Sequence, residues 1–350
     1  MPPYRKRGEH RVRRGTAGLL FALALTAGCS SKTLDTEPPT IEPAQPGQSP
    51  PQSQAAAGVI RPVDGRPQAA IFDNRTAQLV ILTSGPASTA PTRVAVLGSQ
   101  QTSPRVIELP GPASGLTGNG VGAAYLACRG GYFVVDLSAG RAARVGLSNA
   151  ANVDFTAITR RADGTLALGA ADGTVYMLAA GATAVSSRTR TLGHVDSLAA
   201  QGNTVAVLDR SQTSVTTIGP DGKVGQSLRA GLGATTMVAD PAGRLLVADT
   251  RGGQLLVYGV DPLILRQAYP VRASPYGLAG SDGLTWVSQT TANLVVGYDL
   301  STGTPVEKVR YPTVRQPNTL AFDDAADTLY VVSGVGGGVQ VIGRAAAGPH

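Results

Sequence analysis

Pro67-Gln68-Ala69-Ala70-Ile71-Phe72-Asp73 and, near the other end of the chain, Pro317-Asn318-Thr319-Leu320-Ala321-Phe322-Asp323 share one spacing of apolar, small and acidic positions. Each is followed by a second apolar run, Gln78 to Leu82 and Thr328 to Val332. Five further copies fit between them, beginning near Gly111, Asp154, His194, Gly233 and Ser274. Every copy is a series of short runs rich in Val, Leu and Ala, separated by turn dipeptides such as Asp163-Gly164, Asp221-Gly222 and Asp282-Gly283. Short apolar runs bounded by Asp-Gly and Gly-Asn turns, without 3.6-residue periodicity, spell antiparallel strands.

Copies recur every 39 to 45 residues or so, the length of one four-stranded propeller blade. The span 59–343 divides into seven such units of about 41 residues, so the chain is read as all-β, a seven-bladed β-propeller. The last copy lacks an outermost strand, and Gly58-Val59-Ile60-Arg61 ahead of the first copy is placed to supply it, pairing the two ends of the chain. The stretch 181–190 is the least convincing strand in the series because it is so polar.

Leu245 to Tyr258 and Leu329 to Ile342 resemble repeats of the extracytoplasmic YVTN and NHL propeller classes, with Asp209 and Asp249 standing where the YVTN class has its asparagine. The resemblance covers about four fifths of the chain. It implies a fold and no chemistry, since the matching positions are strand and turn residues.

The first 28 residues have a different character. Arg5, Lys6, Arg7, Arg11, Arg13 and Arg14 face one acid, Glu9, and the stretch from Gly15 to Ala27 is uncharged. That is the layout of an export signal, too short to cross a bilayer core, which takes about 20 residues. Arg13-Arg14 is followed by Thr16 and Ala17, not the bulky apolar pair usual after a twin-arginine signal, so the export route stays open. Leu25-Thr26-Ala27-Gly28-Cys29 resembles the lipobox of bacterial lipoproteins. That resemblance implies cleavage after Gly28 and a diacylglycerol thioether on Cys29, anchoring the protein to the outer face of the cytoplasmic membrane. Residues 30–58, with Pro38, Pro39, Pro43, Pro46, Pro50 and Pro51, read as an extended, semi-rigid, disordered tether that reaches several nanometres at about 3 Å per residue. Lipobox, tether and propeller together resemble the LppL-type lipoproteins of mycobacteria and related actinobacteria. The expected organisation is therefore signal 1–28, lipidated cysteine and linker 29–58, propeller 59–343 and a disordered tail 344–350.

The signal also accounts for most of the charge. The chain's +7 less the +5 of its first 28 residues leaves +2, too little to argue for nucleic-acid binding. With Cys29 lipidated, Cys128 is the sole remaining thiol and no intramolecular disulfide is available. It lies in the apolar run Ala123 to Cys128, as an inert buried strand residue does.

Threading each repeat as strands A to D from the axis outward puts A–B hairpins and C–D turns on one face of the disc, and B–C and D–A loops on the other. The second face collects Arg66, Arg129, Arg210, Arg251, Arg272 and Arg315, with Tyr276, Gln289, Asn318 and His194 nearby. A ring of guanidinium groups suits a carboxylate, a phosphate or an acidic partner loop. Set against it is the plainer reading of solvated loops with local Arg–Asp pairs, because Asp172, Asp209 and Asp249 fall on the same face.

Catalytic apparatus is sparse. Of three histidines, His10 lies in the signal, His350 is terminal and His194 stands alone; no zinc pair, nucleophile elbow or cluster of metal ligands occurs. Asp299-Leu300-Ser301-Thr302-Gly303 matches half of the quinoprotein docking motif, but Trp286 is the only tryptophan. Gly118 to Gly122 and Gly334 to Gly338 precede no helix and are hairpin glycines, not phosphate cradles. The expected function is thus a membrane-anchored extracytoplasmic scaffold for an envelope protein or a small anionic ligand, without catalysis, metal, nucleic acid or any cofactor beyond the lipid. The alternative is a lactonase-type propeller hydrolase, which requires His194 to point into the funnel beside an arginine.

Overall fold

Central strands here are covered on both faces by neighbouring sheets, so they read as unbroken apolar runs instead of alternating ones. Gln78–Ser84, Thr204–Asp209, Arg244–Asp249 and Thr328–Ser333 are buried almost throughout. The computed structural model describes residues 39–85, 92–191 and 193–348. These form seven four-stranded antiparallel sheets, with blades 1 to 6 at 66–108, 114–146, 155–190, 197–229, 234–270 and 275–312. Blade 7 takes Pro317–Asp323, Thr328–Ser333 and Val339–Gly343 from the C-terminal end and Val59–Arg61 from the N-terminal end. Val59 pairs with Val341 and Arg61 with Val339. The seven-bladed reading and the closure by both chain ends are therefore correct.

Polarity rises from the buried middle strands to the rim. The outermost strands Val224–Arg229 and Leu263–Pro270 are mostly exposed. For the same reason the polar stretch that made a doubtful strand in the sequence holds Ser187–Arg190, the exposed outer strand of blade 3, paired with Thr174–Ala179.

Apolar side chains interdigitate between neighbouring blades. Val80 and Leu82 of blade 1 pack with Leu126 and Phe133 of blade 2, and the Phe72 ring stacks on Tyr330 across the ring closure at 5.6 Å. Trp286, fully buried in blade 6, stacks on Phe322 of blade 7 at 5.6 Å and on Tyr311 at 6.5 Å. Cys128 is buried, as expected, and burial pushes its thiol above the ordinary range.

Parts of two segments expected to be disordered are instead packed. Residues 39–58 lie on the B–C and D–A loops from blade 4 to blade 7, with Ala44 and Ser49 buried. Their prolines carry no N–H to satisfy, and the carbonyls between them are met by side chains of the disc. At the other end, Ala345–Ala347 forms a short 3-10 turn, with Ala345 fully buried and its carbonyl accepting the Tyr311 hydroxyl at 2.7 Å. The signal-like segment and Cys29 lie outside the described residues. Among the described residues no helix is long and apolar enough to cross a membrane.

Candidate functional site

Two features of the disc merit a functional reading: the loop face crossed by residues 39–58, and the channel along the axis. On the loop face, aspartates close the inner loops. The Asp249 carboxylate, 1% exposed, accepts the backbone N–H groups of Leu232, Gly233 and Gly252 at 2.8–3.0 Å. Asp209 does the same for His194 and Gln212 and also accepts the Ser211 hydroxyl. The approach is so close that a Cβ on Gly231 would lie 1.9 Å from the Asp249 carboxylate, and one on Gly193 1.8 Å from that of Asp209. Both aspartates are structural clamps between a D–A loop and the B–C loop beside it. They are therefore not partners for the arginines, as the local-pair reading had expected; Asp172 likewise accepts the Thr174 N–H.

Residues 39–58 form a strap held mainly through their backbone. Gln316 is the central clamp: its amide oxygen accepts the Ser49 N–H at 3.0 Å and its amide nitrogen donates to the Gly47 carbonyl at 2.9 Å. The Ser49 hydroxyl donates to the Thr290 carbonyl and accepts the Gln316 N–H. Asn293 donates to the Pro50 carbonyl, Ser274 accepts the Gly47 N–H, and the fully buried Gln340 donates to the Ala57 carbonyl.

The six arginines do share this face, but they divide into two sets. Arg210 donates to the Ala44 carbonyl, Arg251 to the Glu42 carbonyl at 2.7 Å and Arg315 to the Ser49 carbonyl at 3.2 Å. These three hold the strap. Arg66, Arg129 and Arg272 are exposed, and among the described residues their guanidinium groups have no hydrogen-bond or ion-pair partner. A single ring converging on one anion is therefore not what the loops build.

The channel is a cavity of about 700 Å³ lined by the innermost strands of all seven blades. Its wall is hydroxyl-rich, with Ala69, Thr117, Ser197, Ala199 and Thr235 among the lining residues and Arg160 its one charged side chain among the described residues. Arg160 Nε and Asn318 Oδ1 are buried without a hydrogen-bond partner among the described residues. Tyr276 lines the channel as well; burial pushes its hydroxyl up, against the opposing charge of Arg210. Such a wall offers hydroxyl and amide hydrogen bonds and one guanidinium, which suits a small polar anion.

His194 is not among the channel-lining residues; its Nδ1 faces the Asp196 carboxylate at 3.4 Å. That is not the funnel-facing arrangement a lactonase reading requires. Gln289 is buried at the end of Thr285–Gln289. Sequence reasoning missed Gln316, Asn293, Gln340 and Arg160. The only local sign at Gln316 is its place directly before Pro317.

No protein-family model matches the sequence, and no curated protein matches it. Solved structures match in shape. Hydrazine synthase of Kuenenia stuttgartiensis superposes with a TM-score of 0.64 at 12% identity, over 83% of this chain and 99% of that one. Streptogramin B lyase gives 0.64 at 12% identity, over 82% and 96%. A chain of a mitotic checkpoint complex gives 0.63 at 11% identity, over 87% and 98%. Proteins as different as these share the seven-bladed propeller with this chain, so the likeness carries the fold alone.

Proposed function

We propose that this protein is a lipid-anchored extracytoplasmic propeller, tethered through Cys29 and acting as a binding scaffold in the cell envelope. The observation that carries the reading is the strap. Because residues 39–58 belong to the disc, the chain between Cys29 and the first strap residue spans at most about 36 Å. The anchor thus holds the disc within that reach of the bilayer, on a strap whose Ile41 donates to the Ser211 carbonyl. The opposite face, with the A–B hairpins, is left toward the envelope for a partner protein, and the channel for a small polar anion drawn to Arg160.

Metabolic labelling with a fatty acid tests the anchor: label in the wild type and none in Cys29→Ala is expected. Label retained in Cys29→Ala refutes it. In-cell cross-linking of the native protein, with mass spectrometry of the linked peptides, tests the scaffold. A dominant envelope partner linked through hairpin-face residues supports it, and only random neighbours, where known complexes are captured, refutes it.

A further inference from the structure

The loop face differs from the hairpin face in how its charge is compensated. On the hairpin face Arg161 is paired with Asp163, Lys223 with Asp221, Arg244 with Asp240 and Lys308 with Asp299; Arg75, Arg141 and Arg344 have no carboxylate partner, but the exposed acids Asp136, Asp261, Asp282 and Asp324 share that face with them. On the loop face Arg66, Arg129 and Arg272 stand exposed and unpaired. Arg190, Arg229, Arg251 and Arg315 add exposed guanidinium groups whose contacts are not with carboxylates. The exposed acids of that face are fewer: Glu42, Asp64, Asp154, Asp172 and Glu108, the last paired with Arg93. Asp209 and Asp249 are consumed by backbone N–H groups.

The same face presents large apolar side chains to solvent. Leu232, in the loop between blades 4 and 5, is 59% exposed, and Val335, in the B–C loop of blade 7, is 60% exposed. Leu232 sits next to Gly233, against which Ala44 of the strap packs. Exposed apolar side chains among unpaired cations are what an anionic bilayer surface receives: charge is drawn to the headgroups while apolar tips enter the boundary below them. The first described residues lead into Ile41, which donates to the Ser211 carbonyl on this face as well.

We infer that the loop face is a membrane-docking surface: Arg66, Arg129 and Arg272 lie against anionic phospholipid headgroups, and Leu232 and Val335 insert at the headgroup boundary. The inference takes its orientation from the reading of Cys29 as a lipid anchor, but the contact itself does not need the lipid. It makes the anchored disc lie flat instead of swinging on its linker, with the hairpin face turned outward.

Flotation with lipid vesicles tests this on the chain from Ser30 onward, which contains the whole compact unit 38–350 and lacks both Cys29 and the basic signal-like segment. Binding is expected to vesicles of phosphatidylglycerol and phosphatidylcholine and not to phosphatidylcholine alone, and it should fall as salt shortens the Debye length. Each basic residue near such a surface is worth about fivefold. Joint Arg66→Glu, Arg129→Glu and Arg272→Glu should therefore weaken binding at least about 100-fold. Arg75→Glu, Arg141→Glu and Arg344→Glu, the same charge change on the hairpin face, should leave it within about threefold. Leu232→Ser with Val335→Ser should weaken binding while leaving its salt dependence in place. No binding to the anionic vesicles, equal binding to both kinds, or equal loss in the two charge-reversed variants overturns the inference. The basic face would then be left to an acidic protein surface. Because Cys29 is absent from the tested chain, this result is independent of the fatty-acid labelling.

Discussion

Replacing Gln316 with alanine removes both ends of the clamp that holds the strap. The Ser49 N–H loses an acceptor at 3.0 Å and the Gly47 carbonyl a donor at 2.9 Å. Ser49 is only 6% exposed, so its N–H is left without water, at a cost of about 1–3 kcal/mol. Gly47 is half-buried and water can replace part of its bond, which adds about 0.5–1.5 kcal/mol. Gln316 also sits in the left-handed region at φ 53°, where alanine is no better suited than glutamine. The sum, about 2–4 kcal/mol, should appear first as local opening, because the blades do not depend on this bond. Hydrogen exchange by NMR is the direct assay: the Ser49 amide should exchange on the order of 30- to 1000-fold faster, at 1.4 kcal/mol per factor of ten, while the amides of Thr204–Asp209 keep their rates. Gln316→Asn is the control, tolerating the backbone angle but too short to bridge. It should behave like alanine. A change of less than threefold at Ser49 in either variant would refute the account of the strap as clamped by this amide.

Asp249→Ala strips the acceptor from three backbone N–H groups at once and should cost about 3–5 kcal/mol in urea denaturation, whereas Asp172→Ala, on an exposed loop, should cost under about 1 kcal/mol. Trp286→Ala empties the stack between blades 6 and 7 and should cost about 3–5 kcal/mol, read from thermal unfolding followed by circular dichroism. Burial pushes the hydroxyls of Tyr258 and Tyr298 up to about 12, so the folded chain keeps protons that the unfolded chain releases near pH 10. Their contribution is whole below about pH 10 and is lost between about 10 and 12, by up to about 1.4 kcal/mol per pH unit for each tyrosine; urea midpoints at pH 8, 10 and 11.5 read the slope, and a flat profile contradicts it.

The blades were legible because a propeller repeats its local pattern, and every copy restates the same sequence of buried strand, turn and exposed rim. Val59–Arg61 was legible for a related reason, since a repeat one strand short has to find its fourth. The strap was not. Residues 39–58 have almost no large apolar side chain, and composition alone reads them as solvated linker. They are held by amides and guanidinium groups more than 160 positions away, which leave no periodic trace. The arginines illustrate the same limit. Topology put all six on one face from sequence, but whether a guanidinium meets a ligand or a strap carbonyl is decided by a segment whose path the sequence does not encode locally. Asp209 and Asp249 were noted as departures from the asparagine of a related repeat. Their role as acceptors for loop N–H groups emerged only with the distances.

Ring closure by the two chain ends sets an order of events during synthesis. Val59–Arg61 is made before its partner Val339–Gly343, so blade 7 is unfinished until residue 343 has been made. Until blade 7 is in place, Phe72 of blade 1 lacks Tyr330 and Trp286 of blade 6 lacks Phe322. A message cut short anywhere before residue 339 therefore yields an open arc with apolar flanks, a ready substrate for proteases, and not a smaller propeller. Val339–Gly343 thus works as a check on synthesis: only a chain made through residue 343 becomes a closed disc.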